Sequence, residues 1–290
     1  MTRYVEFLKS VKLPEPSDIL RFPETRQFGR YRSIFPHELW YFPAKMNTYL
    51  ARYLVLRYSK PDEKVLDPFA GAFTIPIIAG LEGRIGIGVE IVPDFCMYAG
   101  VAKDRARKTL GFKDTLIYLG DSRQLSTIIK EHIPVDVIIT SPPYEGQVDD
   151  KRDLERDAAR LRVMGYDPKE YIRLTQAKWH YGERSSRNLG WITGRNYRKG
   201  MRKVMSEMWK VLKDDGLAVI VIKNSIRGGE LYRNDLLMAY LMKLSKFEIV
   251  DHILFEIPST SIWRHIWEKR GLFSVDLKYE HILVFKKKSG

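Results

Sequence analysis

Five short apolar runs, spaced along the chain and each closed by a turn or a polar residue, restrict the folds open to it. They are Val65-Leu66-Asp67, Gly86-Ile87-Gly88-Val89-Glu90, Leu116-Ile117-Tyr118-Leu119, Asp136-Val137-Ile138-Ile139-Thr140 and Leu217 to Ile222. Runs this apolar suit strands buried on both faces, which occur in parallel sheets covered by helices. Helical stretches stand among them, such as Ile75 to Leu81 and Met201 to Leu212, with a turn at Asp214-Asp215-Gly216. With two later strand-like runs, Phe247 to Ile257 and His281 to Phe285, the expectation is an α/β, Rossmann-like, seven-stranded, mostly parallel sheet with helices on both faces. A chain of 290 residues buries an ample core for that fold in one domain.

Such sheets bind ligands at the carboxyl ends of their strands, and polar residues cluster there. After the first run come Asp67-Pro68-Phe69-Ala70-Gly71 and then the helical stretch, which reads as strand, tight turn and helix start. Glycine lets backbone approach a ligand, free amides at a helix start attract a carboxylate, and Asp67 offers an acceptor for an ammonium group. Glu90, ending the second run, is placed for ribose hydroxyls. An acid there would serve a nicotinamide dinucleotide equally well. However, the first turn lacks the Gly-x-Gly-x-x-Gly that holds a pyrophosphate. The third run ends in Gly120-Asp121-Ser122.

The fourth run stops at Ser141-Pro142-Pro143-Tyr144. Two prolines in succession cannot continue a strand, so they fix the neighbouring side chains in one extended geometry. This tetrapeptide resembles the catalytic loop of the N4-cytosine and N6-adenine amino-methyltransferases. Asp67-Pro68-Phe69-Ala70-Gly71 is similar to motif I of that family, although Ala72-Phe73-Thr74 departs from its usual Ser-Gly-Thr tail. Phe42-Pro43-Ala44-Lys45 resembles the family's short motif before the first strand. The resemblance runs from about Phe42 to the C-terminus and implies a class I methyltransferase fold, its last two strands forming an antiparallel edge.

The resemblance further implies S-adenosylmethionine as cofactor, held by Lys45, Asp67, Phe69, Gly71, Thr74, Glu90, Asp121 and Ser122. Ser141, Pro142, Pro143 and Tyr144 are the implied catalytic residues. The lone pair of an exocyclic amine is delocalised into its ring. A Ser141 hydroxyl and a Pro142 carbonyl accepting the two amine hydrogens would draw the nitrogen towards tetrahedral geometry as the methyl arrives. Tyr144 would stack on the base once it has left its helix. Altered motif I residues keep a second class open: a nucleic-acid-binding protein with this fold and no turnover.

The single cysteine, Cys96, excludes a disulfide framework and a cysteine-rich zinc site, and points to a reducing compartment. It also stands far from the loop, which argues against the cysteine-based chemistry of carbon-5 methylation. No apolar run is long enough for a membrane span and no secretory leader is visible, so a soluble, cytoplasmic protein is expected. The formal net charge of +13 calls for an acidic partner. Residues 173–213 hold eleven Lys or Arg against two acids, interleaved with Trp179, Tyr181, Trp191, Tyr197 and Trp209. Basic groups among aromatic faces form the pattern of a nucleic-acid groove. Its candidate contacts are Trp179, Arg184, Arg187, Trp191, Arg195, Tyr197, Arg198 and Lys199, with Trp209 expected inside the core.

Residues 1–60 read as an N-terminal extension with eleven basic and five acidic residues, and 61–290 as the methyltransferase domain. Within it, about 145–199 reads as a substrate-recognition insertion that includes an exposed charged helix over Asp149 to Arg162. Ser at the first loop position accompanies cytosine N4 in the family, where Asp or Asn accompanies adenine. An insertion of about 55 residues is small for reading several base pairs in a major groove, which favours structured RNA such as ribosomal RNA over DNA.

Overall fold

A computed structural model describes residues 11–40, 45–145, 162, 187–227, 230–258 and 277–288. Trp179, Tyr181, Arg184, the motif residues Phe42 to Ala44 and all of the Asp149 to Arg162 stretch except Arg162 lie outside them. The main sheet has eight strands: β1 (Asp18–Arg21), β2 (Lys64–Asp67), β3 (Ile85–Glu90), β4 (Asp114–Leu119), β5 (Val135–Thr140), β6 (Leu212–Lys223), β9 (Phe247–Glu256) and β10 (Tyr279–Lys287). Their spatial order is β1-β9-β10-β6-β5-β2-β3-β4, and a small hairpin, β7 (Ser225–Arg227) with β8 (Glu230–Tyr232), follows β6.

Two features correct the sequence reading. The sheet has eight strands rather than seven, because Asp18–Arg21 adds in parallel to β9. In addition, only β10 runs antiparallel, pairing with β6 on one side and β9 on the other, so the last two strands do not form the edge. Too short and too polar to stand out, β1 is held by its position: the Pro14 carbonyl accepts from His252 Nδ1 at 2.9 Å and Ser17 donates to Asp251 at 2.6 Å.

Helices cover both faces, as alternation along the buried strands requires. Val65, Val137, Val219 and Ile282 face one core with α1 (Thr48–Tyr58), α2 (Thr74–Leu81) and α3 (Pro93–Ala106). Leu66, Ile138, Ile220 and Leu283 face the other, against α4 (Leu125–Ile128), α5 (Gly194–Val211) and α6 (Asn234–Leu244). Asn47 caps α1 through bonds from the amides of Tyr49 and Leu50 at 2.9 and 3.2 Å.

The Gly-Ile-Gly pattern of β3 records how closely α2 presses on the sheet. A Cβ at Gly86 would lie 2.0 Å from the Pro76 carbonyl oxygen, and one at Gly88 2.4 Å from the Phe73 ring. The expected turn at Asp214-Asp215-Gly216 lies within β6 as a bulge: Val135 pairs with Leu212 and Val137 with Leu217, and Asp215 takes φ +58°.

Candidate active site

The carboxyl ends of β2, β3, β4 and β5 bring Asp67, Glu90, Asp121 and the Ser141–Tyr144 loop to one edge of the sheet. Asp67 is buried, and its carboxylate accepts from the Thr140 hydroxyl at 2.5 Å and the Phe69 amide at 3.0 Å. Thr140 is the residue directly before the loop, so the first motif and the fourth are bonded to one another. Burial pushes the Asp67 carboxyl up to about 7; its two donors oppose the shift, and the nearby Glu90 charge adds to it.

Glu90 accepts from the amides of Gly71, Ile91 and Val92 at 2.8, 2.8 and 2.9 Å, yet burial still raises its pKa. Gly71 sits at φ +49°, a conformation glycine adopts without cost, and this turns its amide onto Glu90. Thr74 begins α2 and is buried, while Phe69 is half-buried against the opposite core.

Asp121 caps the 3-10 helix Ser122–Gln124 and pairs with Arg123, at 2.6 Å in the closest contact. Burial disfavours its charge, but Arg123 outweighs this and holds the carboxyl below its usual range. The side chain is thus already engaged at the place where an adenine contact is expected. Ser122 is buried and donates to the Pro68 carbonyl. Lys45 lies 5.6 Å above the Phe28 ring, and burial lowers its ammonium to about 8 against the pull of Glu24.

These groups suit S-adenosylmethionine on physical grounds. Two carboxyls whose charge is disfavoured by burial, with Glu90 adding to the shift of Asp67, are relieved by a bound cation, which the sulfonium and ammonium of that cofactor provide. Beside Glu90, in register, Leu119 is 57% exposed at the end of β4 and offers an apolar face to a base. Among the described residues no cluster of His, Cys, Asp or Glu is placed to hold a metal.

Within the Ser141–Tyr144 loop and at Glu145 after it, some groups are committed and others are not. The Pro143 carbonyl accepts from the Tyr197 hydroxyl at 2.7 Å, and Tyr144 is hydrogen-bonded to the Lys223 backbone. Glu145 accepts from the Gly194 amide and the Tyr232 hydroxyl. By contrast, among the described residues no hydrogen bond engages the half-buried Ser141 hydroxyl or the Pro142 carbonyl. These are the two acceptors the sequence reading assigns to an amine. Tyr144 is itself half-buried, and burial together with the Glu280 charge raises its pKa.

Helix α5 carries the basic face: Arg195, Lys199, Arg202 and Lys203 are exposed, and Arg198 is half-buried. Tyr197 must be corrected. Only 1% exposed, it packs into the core beneath the loop and cannot stack on a base. Its place in a basic, aromatic stretch concealed that it stands on the apolar side of a helix with Met201, Val204 and Met208. Trp191 is half-buried and Arg187 exposed, its carbonyl accepting from Arg123 at 3.0 Å. Trp209 is only partly buried, with Lys246 and Lys287 at 5.0 and 4.7 Å from its ring.

Three polar groups at this edge escaped the sequence reading: Arg123, Glu145 and Glu280. Glu280 is the second residue of β10. No motif marks any of the three; Glu145 directly follows the loop, and the pairing of β10 with β6 sets Glu280 opposite Lys223.

The profile of the N6/N4 methyltransferase family, described as DNA methylase, matches residues 5–100 and 135–289. A tRNA (guanine(10)-N2)-dimethyltransferase of Methanothermobacter thermautotrophicus is 35% identical over 111 residues, 38% of this chain and 31% of that protein. An uncharacterized RNA methyltransferase of Porphyromonas gingivalis is 35% identical over 107 residues, 36% of this chain and 22% of that protein. The chain thus spans less than a third of either relative. The crystal structure of TrmN from Thermus thermophilus aligns with a TM-score of 0.48 at 14% identity, covering 89% of this chain and 52% of that one. No helix among the described residues is long and apolar enough to cross a membrane. That profile, matched over most of the chain, makes this protein a member of the N6/N4 methyltransferase family, with S-adenosylmethionine as its cofactor.

Proposed function

We propose that this protein transfers a methyl group from S-adenosylmethionine to the exocyclic N4 amine of cytosine in nucleic acid, with structured RNA as the substrate. The observation that carries the reading is the pattern of commitments in the loop. Every polar group from Pro143 to Glu145 named above is tied to another element, while the Ser141 hydroxyl and the Pro142 carbonyl remain available as acceptors.

The cofactor, when bound, supplies an electrophilic methyl group. Asp67 would hold its ammonium and Glu90 its ribose hydroxyls. Ser141 and Pro142 would accept the amine hydrogens and so stabilise the tetrahedral nitrogen of the transition state. Tyr144, fixed at its hydroxyl end by Lys223, would present its ring to the base. Arg195, Arg198 and Lys199 would bind phosphates beside the loop, with Trp191 and Arg187 bordering them. Trp179 and Arg184 complete the set proposed from sequence.

RNA is favoured over DNA by the small insertion and by the names of the two partial relatives. The family description keeps DNA as the comparison substrate, and the first relative's name favours the N2 amine of guanine as a second target. The deciding experiment incubates the protein with labelled S-adenosylmethionine and either unmodified total RNA or genomic DNA, then identifies methylated nucleosides by mass spectrometry. N4-methylcytidine in RNA is expected. N2-methylguanosine would move the assignment to guanine, the deoxynucleoside alone would move it to DNA, and no label in either would favour a binding protein without turnover.

A further inference from the structure

Glu145, the residue that follows the catalytic tetrapeptide, is buried at 7% exposure and yet carries a carboxylate. Such a group costs free energy unless it is hydrogen-bonded, so its partners should be necessary to its placement. Those partners come from two other elements. The Gly194 amide, at the start of the 18-residue α5, donates to one oxygen, and the Tyr232 hydroxyl of β8 donates to the other.

The helix needs this help. Thr193 stands at the N-cap but makes no side-chain cap bond, and α5 has no acid in its first turn. The catalytic loop therefore supplies the anion that the helix start attracts, from 49 residues away in sequence. One turn further along, Tyr197 of the same helix donates to Pro143 at 2.7 Å. Helix and loop are thus joined at two points, on either side of Tyr144. The exposed face of this helix carries Arg195, Lys199, Arg202 and Lys203.

We propose that Glu145 is a positioning residue that couples the basic face of α5 to the catalytic loop, so that a polyanion bound on the helix sets the loop for transfer. The inference rests on the nucleic-acid reading above. Phosphates along α5 fix the helix, Glu145 and Tyr197 transmit its position to residues 143–145, and Ser141 and Pro142 are thereby held at the amine.

Hydrogen–deuterium exchange tests this without requiring turnover. In the wild-type protein, total RNA is expected to slow exchange both in α5 and in the peptide spanning 140–146. In Glu145→Ala the helix should still be protected, but the loop peptide should exchange as fast as without RNA. A wild-type loop indifferent to RNA that protects α5 would overturn the coupling, and RNA that protects neither would overturn the nucleic-acid reading with it.

Steady-state kinetics then separates positioning from binding. Glu145→Ala is expected to lower kcat about 30-fold with both KM values within about twofold, while Glu145→Gln, which keeps an acceptor oxygen, recovers to within about threefold of wild type. A loss confined to KM, or no loss, would refute the assignment. Should Glu145→Ala fail to fold, the wild-type exchange pattern and Glu145→Gln still decide it.

Discussion

The two halves of the strand-end site are built by different means. On the proposed cofactor side, most bonds to the acids are local, from the Phe69 amide to Asp67, from the amides of Ile91 and Val92 to Glu90 and from Arg123 to Asp121, with longer ties from Thr140 to Asp67 and from Gly71 to Glu90 across 73 and 19 residues. On the substrate side, the loop is set from afar: Pro143 by Tyr197, Glu145 by Gly194 and Tyr232, at separations of 54, 49 and 87 residues. The Thr140–Asp67 bond is the tie between the two halves. The substrate half depends on the assembly of α5, the hairpin and β6 around it.

The largest expected effect that separates the halves comes from Tyr144→Ala. Loss of stacking worth about 1–3 kcal/mol per base should lower transfer about 5- to 150-fold while the cofactor Kd, measured by calorimetry, stays within about twofold. A parallel loss of cofactor affinity would show that the two halves are one structure.

Asp67→Asn probes the opposite side and should raise the cofactor Kd about 10- to 100-fold, the range for losing a hydrogen bond to a charged group. A pH series sharpens the result. The Asp67 carboxyl lies at about 7 in the folded protein against 3.8 ordinarily, so the folded state holds a proton that the unfolded chain has released. Stability of the free protein should therefore fall as pH rises from about 4 to 7. Binding a cation requires the ionised form, so cofactor affinity should weaken about tenfold per unit as pH falls below 7. Asp67→Asn should flatten both dependences, and an unchanged slope would place the controlling proton elsewhere.

The smallest effect is electrostatic. Replacing Arg195, Arg198 and Lys199 by alanine should reduce the slope of log affinity for nucleic acid against log salt by about 2 to 3. Cofactor binding should not respond. An unaltered slope would remove α5 from the phosphate path.

The same contrast explains what could be read from the sequence. Asp67, Gly71, Glu90 and the Ser-Pro-Pro-Tyr loop stand out because turn, acid and strand end are adjacent in the chain, and buried strands announce themselves as apolar runs. Gly86 and Gly88 were visible as a pattern, but their reason, the pressure of Pro76 and Phe73, required the packed helix. Tyr197 was misread because composition over 173–213 does not resolve the faces of a helix. β1 was missed because four residues with one buried position carry no periodic signal. Glu145 had no motif to mark it, and its role exists only through residues far along the chain.

The parallel pairing of β1 with β9 has a consequence for how the molecule is made. Arg21 aligns with Glu256, 235 residues later, so β1 has no partner in the sheet until β9 has been synthesised. At about 5–20 residues per second that interval is roughly 10–50 s. Throughout it β1 stays unpaired, while β2 to β6, which need neither β1 nor β9 as partners, are already complete.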